Sequence, residues 1–322
     1  VIRPLLVSPC TSDVHNVEID CLKSGRILGH EGLGEIVAVG EGVKEFQVGE
    51  LVVVPPVTPD WRTVPSQLGA HQHCSGLITG QKLSNSEDGL LAEYALIRDL
   101  DANAARIPPG VSPEGAVMAA DMLNTGLYGA ELAEVRPGDT VVVMGVGPVG
   151  LMAIAGARLR GAGRIIAIGS RKAGIELAKF YGATDLVNYK EGNVERQIYE
   201  LTHKQGADCC ICAGGGTEAL GQAVAMVRWG GTVGNVNYFT TYGDLPLNNV
   251  RYGFGMGNKT IRGGECPGGR ARMEKLLALL QYGRVDPVPL ITHRFQGLDQ
   301  VETAFHLMAE KPPALVKTIV AL

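Results

Sequence analysis

Two hydrophobic rhythms divide this chain. Up to about residue 124, short apolar runs with strand character (1–7, 35–39, 51–54 and 91–97) are separated by Gly and Pro turns. From 125 to 265 the rhythm becomes regular. Apolar runs at 141–144, 164–168, 185–188, 207–212 and 231–236 alternate with helical stretches at 148–160, 171–181, 193–203 and 216–228. That alternation predicts parallel strands joined by crossover helices, a doubly wound α/β sheet. Two amphipathic helices, about 269–282 and 297–309, and a strand at 316–322 close the chain. The pattern therefore predicts a β-rich domain over 1–124, an α/β domain over 125–265 inserted into it, and a return to the first domain over 266–322.

The first strand of the regular region runs into Gly145-Val146-Gly147-Pro148-Val149-Gly150, a GxGxxG turn that opens a helix. Such a turn lets the backbone approach a pyrophosphate, whose charge then rests at a helix N-terminus. Glycine-rich loops recur by chance, but here a strand precedes the turn, and a helix and a second strand follow it. A dinucleotide site of the Rossmann kind is the reading. In an NAD site an Asp or Glu about 20 residues beyond the glycines accepts hydrogen bonds from the adenosine ribose. This chain has Gly169, Ser170, Arg171 and Lys172 there. No carboxylate repels a phosphate, and a hydroxyl and two cations can hold one, so NADP(H) is the expected cofactor. A solvated basic turn is the bland alternative.

Composition narrows the remaining options. A length of 322 residues favours two domains. A net charge of −4 offers no electrostatic footprint for nucleic acid or an anionic membrane surface. No apolar run reaches about 18 residues, and no signal-peptide pattern opens the chain. It starts at Val1, in mid-pattern and without Met, so an N-terminal piece is expected to precede this numbering. Seven cysteines, irregularly spread, argue against a disulfide framework and for a reducing compartment, read as the cytoplasm. Cys209, Cys210 and Cys212 read as small buried hydrophobes of one strand. The one CxxC spacing, Cys209 to Cys212, lies inside that strand and has no second pair to join it, which argues against a four-cysteine structural zinc lobe.

The β-rich region carries a second chemical signal. Cys10 sits in PCTSDVH at the end of a strand, His30 and Glu31 in GHEG, and Asp121 in AADM. Singly these are poor signals, more often packing or solvation than ligation. Catalytic zinc, however, takes about three N, S and O ligands from separated segments and leaves a position open. One Cys, one His and a carboxylate form such a set, which spacing alone does not prove.

At these residues the chain resembles the zinc-dependent medium-chain alcohol dehydrogenases, and within them the microbial NADP-dependent secondary-alcohol branch. The matching strings are RPLLVSPCTSDVH, ILGHEGLGEIVAVG, VVVPPVTPDW, SPEGAVMAADMLNTGLYGAELA, GVGPVGLMAIAGARLRGAGRIIAIGSRK, AKFYGATDLVNYK, GNVNY and KTIRGGECPGGR, spread over nearly the whole chain. The resemblance implies a GroES-like catalytic domain around an inserted Rossmann domain, and a homotetramer. It also implies hydride transfer between NADP(H) and a secondary alcohol or ketone. It assigns a single zinc to Cys10, His30 and Asp121, with Glu31 as a fourth ligand that yields to substrate. Ser12 becomes the hydroxyl touching the substrate oxygen, and His15 the outer end of a proton relay through the nicotinamide ribose. Asp13 becomes the carboxylate that orients the ligating histidine. Gly169, Ser170, Arg171 and Tyr189 match the pocket of the adenosine 2′-phosphate. Val236, Asn237 and Tyr238 match the strand end along the nicotinamide, and Lys311 a more distant cofactor contact.

Departures cluster in the substrate pocket. The family reads GWKFSN where this chain has GQKLSN, so Gln81 replaces a large aromatic wall. Glu265 stands where Leu precedes Cys266, and Pro56 and Val57 replace small and branched apolar residues. An indole buries roughly 200 Å² of mostly apolar surface, so Gln81 implies a larger, wetter pocket. A polyol or diol dehydrogenase, or a hydroxyketone reductase of the same fold, is therefore the alternative function. A non-catalytic NADP-binding relative and a zinc-free quinone reductase are disfavoured, because Cys10, His30, Glu31 and Asp121 are all present.

Overall fold

The computed structural model describes residues 1–19, 22–239, 243–249 and 253–322. Cys21, one of the seven cysteines, lies outside them. The chain divides into two compact units, Val1–Asn124 with Glu265–Leu322, and Thr125–Gly264.

In the first unit, strands β1 (Ile2–Val7), β2 (Gly32–Ile36), β3 (Leu51–Val54) and β4 (Ala105–Arg106) form a six-stranded sheet with two late strands, β11 (Ile291–Gln296) and β12 (Lys317–Ala321). Its order is β11-β12-β1-β2-β3-β4, antiparallel except for the parallel pair β11/β12. Beneath it Ile2, Val7, Ile36, Val52 and Val54 pack with Leu83, Leu90, Ala95 and Ile97 into one core. Short helices of its first stretch are α1 (Thr11–Glu18), α2 (Val64–Gln67), α3 (Leu100–Asn103) and α4 (Pro113–Met118), and α5 (Asn124–Leu132) starts at the last residue of that stretch.

Two expected strands are corrected. The second strand is Gly32–Ile36 rather than 35–39. A Cβ at Gly34 would lie 2.5 Å from the Arg3 carbonyl oxygen, so glycines of low strand propensity are what lets β2 lie against β1. The stretch 91–97 forms only the isolated bridge of Ala95 with Ile2. Its apolar residues follow burial: Ala95 and Ile97 fill the core under the sheet, with Leu91 packed against it, without pairing in register.

The second unit holds β5 (Thr140–Met144), β6 (Arg164–Ile168), β7 (Asp185–Val187), β8 (Ala207–Cys212), β9 (Val227–Asn235) and β10 (Thr260–Gly263). Every pairing is parallel, in the order β10-β9-β8-β5-β6-β7. Counted along the unit this is the Rossmann order, and its direction reverses beside β5. The helices α6 (Pro148–Leu159), α7 (Lys172–Tyr181), α8 (Val194–Leu201) and α9 (Ala219–Met226) connect the strands. In α6, Leu151, Met152 and Ile154 are fully buried, each contributing about 1.5–3 kcal/mol of apolar burial. The helices α10 (Arg270–Gln281) and α11 (Val301–Glu310) return to the first unit. No described helix is long and apolar enough to cross a membrane.

Candidate active site

Chain geometry in the first unit gathers distant residues at one end of its sheet. The Ser8 amide donates to the Glu31 carbonyl at 3.0 Å, setting the end of β1 beside the start of β2. Cys10 follows as the residue capping α1 at its N-terminus, and His30 and Glu31 immediately precede β2. Asp121 comes from a third direction. The helix that begins as α4 and continues as α5 widens into a π-helical turn over Ala119–Leu123, all of it buried. Single π-turns of this kind re-aim a side chain from within a helix.

Cys10, His30, Glu31 and Asp121 each offer a ligand atom, and these atoms all lie within 4.8 Å of one another. The His30 Nε2–Asp121 Oδ2 distance is 3.6 Å, and Cys10 Sγ lies 3.9 Å from the same oxygen. Zinc bonds of about 2.0–2.3 Å in a tetrahedron set donors about 3–4 Å apart, so the spacing suits that ion. The donor set, one sulfur, one imidazole and two carboxylates, suits it as well. Glu31 gives the sharpest indication. It is fully buried, Lys317 of β12 donates to its Oε1, and its Oε2 has no hydrogen-bond partner. A buried carboxylate oxygen without a donor calls for a cation.

The electrostatics of the cluster agree. Burial pushes the Cys10 thiol up, but the positive charge of Lys317 and a hydrogen bond from His30 outweigh it, leaving the thiol below its ordinary value. Burial lowers His30, yet the carboxylates of Asp13 and Asp121 carry it well above the usual imidazole range. Burial drives Glu31 well above the usual carboxylate range, against the pull of Lys317. Three acidic donors converge in a buried site, an arrangement that a divalent cation stabilises in the ionised form.

The residues around this cluster fall as follows. His30 Nδ1 lies 3.1 Å from Asp13 Oδ1, and both side chains are buried. That contact fixes the ring and leaves Nε2 facing the other donors. Ser12 Oγ is 3.3 Å from Cys10 Sγ and 3.5 Å from His30 Nε2. His15, three residues on along α1, is partly exposed, with Nδ1 3.2 Å from Glu18 Oε2.

Lys317 escaped the sequence reading. It is fully buried and is the single charge in the apolar run VKTIVAL, a pattern that signals a buried partner. Asn124 and Gln72 were missed too. The Asn124 amide donates to Cys266 Sγ at 3.3 Å and to the Pro267 carbonyl at 2.7 Å. Gln72 donates to the Glu265 carbonyl at 3.1 Å and accepts from the Gly80 amide at 2.8 Å. Thr58 donates to the Gly80 carbonyl at 2.9 Å. The expected pocket segments, Pro56–Val57, Gln81 and Glu265–Cys266, are thereby tied into one network.

Within that network Glu265 turns its carboxyl inward, and its Oε2 is buried without a partner. Burial, reinforced by the negative charge of Asp121 and opposed by His30, raises its pKa to about 8. An ordinary glutamate titrates near 4.5, so between these values the native protein holds a proton that the unfolded chain has lost. Stability then falls as pH rises through that window. In the metal-free protein, Glu265→Gln removes this loss. Its advantage over wild type, measured by denaturant unfolding, grows between about pH 5 and pH 8.5 by several kcal/mol, at about 1.4 kcal/mol for each pH step of one across the window. An equal advantage at both pH values contradicts the inward carboxyl.

The second unit carries the glycine turn. Gly145 has φ +99°, and a Cβ at Gly150 would sit 2.0 Å from the Gly145 carbonyl oxygen, so both positions require glycine. Gly147 caps α6, with Pro148 and Val149 opening the helix. A Cβ at Gly147 would lie 3.5 Å from Arg171 Nη2, which places the guanidinium beside the turn. Ser170 is partly exposed, and the Gly169 amide donates to the Val187 carbonyl at 3.0 Å, bringing the end of β7 and the exposed Tyr189 to the same edge. A Cβ at Gly169 would meet Val146 Cγ2 at 2.2 Å, so side-chain packing alone accounts for glycine there. At the end of β9 the Val236 amide donates to the Cys212 carbonyl at 3.0 Å, and Asn237 Nδ2 to the Gly215 carbonyl at 3.0 Å. Tyr238, beside them in sequence, is exposed. Lys311 belongs to the first unit, as the exposed, left-handed residue that ends α11. Cys209, Cys210 and Cys212 are buried in β8. Burial raises the first and last to about 12, which makes them inert core residues.

Residues 148–282 match the zinc-binding dehydrogenase family, and residues 1–109 match the alcohol dehydrogenase GroES-like domain. The chain belongs to this family of zinc-binding dehydrogenases. It is 52% identical, over all of its length and 92% of the relative's, to the NADP-dependent isopropanol dehydrogenase of Thermoanaerobacter brockii. It is 50% identical, with the same coverage, to the enzyme of that name from Clostridium beijerinckii. Among solved structures, alcohol dehydrogenase TADH from Thermus sp. ATN1 superposes with a TM-score of 0.87 at 31% identity, covering 99% of this chain and 91% of that one.

Proposed function

We propose that this chain interconverts secondary alcohols and ketones by hydride transfer with NADP(H), at one zinc ion held by Cys10, His30 and Asp121. Glu31 is the fourth ligand, which yields to substrate. The observation that carries the reading is the set of four donors within 4.8 Å, one of them a buried carboxylate oxygen with no other partner. Two relatives with about half of their residues identical, named as NADP-dependent isopropanol dehydrogenases, support the cofactor and substrate class.

Bound zinc supplies the Lewis acidity that lowers the proton affinity of an alcohol and polarises a ketone. The protein's own groups do the rest. Asp13 holds His30 in the tautomer that offers Nε2 to the metal. Ser12, within 3.5 Å of two ligand residues, hydrogen-bonds the substrate oxygen and takes its proton in the oxidative direction. His15 exchanges that proton with solvent. Arg171, Ser170 and Tyr189 hold the 2′-phosphate, Gly145 to Gly150 accommodate the pyrophosphate, and Val236 to Tyr238 line the nicotinamide side. Lys311 adds a peripheral cofactor contact. The reading includes a homotetramer in the cytoplasm.

The test is NADPH oxidation by the zinc-loaded protein over ketones from acetone to aryl ketones, with elemental analysis returning one zinc per chain. Absence of turnover on every ketone defeats the reading. Arg171→Ala tests the cofactor assignment. A hydrogen bond to a charged group contributes about 1.5–3 kcal/mol, so the variant binds NADPH about ten- to hundredfold more weakly in a fluorescence titration, with NADH little affected. Equal loss for both cofactors contradicts the phosphate assignment.

A further inference from the structure

The return of the chain into the first unit begins at Glu265, and nothing in the catalytic reading uses its carboxyl group. Its Oε2 is buried and has no hydrogen-bond partner. Its backbone is stapled from both sides. Gln72 holds its carbonyl, and Asn124, three residues beyond Asp121 on the same helix, holds the two residues that follow it. Arg272 in turn donates to Asn124 Oδ1 at 2.8 Å, so the staple cannot swing freely. The charges of Asp121 and His30 both act on the carboxyl. A polar group is thus fixed beside the metal ligands, in a segment where an apolar side chain would be less costly. Leaving it unpartnered in the free protein costs stability, and a ligand that brings a hydrogen-bonding group recovers that cost.

We infer that Glu265 is a specificity-determining residue that hydrogen-bonds a hydroxyl on the carbon next to the reacting carbonyl, so that the substrates are α-hydroxyketones and the vicinal diols they form. This rests on the dehydrogenase reading above. The reacting oxygen belongs among Cys10, His30 and Asp121, and Asn124 ties the segment that begins at Glu265 to the helix that carries Asp121, which points to the carbon next to the reacting one. The redox step keeps the balance of the proposed reaction. Two electrons and a proton pass together as hydride from reduced nicotinamide to the carbonyl carbon, and a proton from solvent completes the new hydroxyl. Hydroxyacetone thereby becomes propane-1,2-diol, and the substrate's original hydroxyl, held by Glu265, is unchanged. Gln81, half-buried, directly follows the Gly80 whose amide donates to the Gln72 carbonyl.

Hydroxyacetone and 2-butanone differ by an OH in place of a CH3, which makes them the discriminating pair. With zinc-loaded wild-type enzyme and NADPH, kcat/KM for hydroxyacetone exceeds that for 2-butanone by about tenfold or more, because a site built for a hydroxyl rejects the analogue that lacks it. Glu265→Leu lowers that ratio at least about tenfold, by a loss on hydroxyacetone together with a gain on 2-butanone, whereas Glu265→Gln keeps most of the preference. Calorimetric titration of the NADPH-bound enzyme with propane-1,2-diol and butan-2-ol, in which cofactor and alcohol are both already reduced, reads the same preference without turnover. Wild-type enzyme that favours 2-butanone, or a ratio unmoved by Glu265→Leu, overturns the inference and leaves the dehydrogenase reading standing. Failure to reduce either ketone overturns both.

Discussion

Cys10→Ala retains no stoichiometric zinc and loses about a thousandfold or more in ketone reduction, while NADPH binding stays within about twofold of wild type. The size follows from what a Lewis acid contributes, several kcal/mol of stabilisation of the developing charge, at about 1.4 kcal/mol per factor of ten. The separation of effects follows from the architecture. Cys10 lies in the unit formed by Val1–Asn124 and Glu265–Leu322, whereas the glycine turn and Arg171 lie in Thr125–Gly264. Cys10 is also the one soft ligand of the set. Metal content by elemental analysis, steady-state rates and a fluorescence titration with NADPH read the three consequences. A variant that keeps one zinc per chain and full turnover contradicts the ligand set, and one that loses NADPH binding in parallel points to a folding defect instead.

The second large effect concerns stability. Lys317→Ala removes the cation from a pair in which both side chains are fully buried, and leaves the Glu31 carboxyl without any donor. Breaking one half of a buried pair costs about 3–5 kcal/mol, because the remaining charge loses its compensation. Denaturant unfolding of the metal-free protein shows this as a lower midpoint with little change in slope. Replacing both partners, as Lys317→Met with Glu31→Gln, recovers most of the loss, since an uncharged pair of similar volume carries no desolvation penalty. A single variant as stable as wild type, or a double variant no better than the single, contradicts this account.

The second unit was legible because its strands are buried on both faces. Val141, Val142 and Val143 are fully buried, as are Ile166 and Ala167, so each strand reads as an unbroken apolar run bounded by turns. The first unit hides its pattern. Strand β2 is GLGEI, glycine-rich because neighbouring backbone lies close, and the apolar run at 91–97 fills the core without pairing. The metal ligands were nameable only through resemblance. Cys10, His30 and Asp121 lie on three segments whose meeting depends on the β1–β2 register and a π-turn, neither of which has a local sequence signal. Lys317 was hidden for a further reason. A lysine at the start of a strand is ordinary, and only the placement of β12 beside β1 reveals what it faces. Glu265 was visible as a departure from the family pattern, but its inward direction is set by the Gln72 and Asn124 staples, which no spacing rule anticipates.

The contact between Gly169 and Val146 bears on how such a protein could change its cofactor over generations. A carboxylate at 169 is the obvious route to an unphosphorylated ribose, yet its Cβ would fall 2.2 Å from a branched side chain that cannot swing aside. A lineage drifting toward NADH would therefore have to shrink Val146 first, at a moment when the smaller residue brings no benefit, and acquire the acid only afterwards. Selection acting one substitution at a time finds that path nearly closed. The steric neighbour, as much as the arginine, keeps descendants of this sequence committed to the phosphorylated dinucleotide.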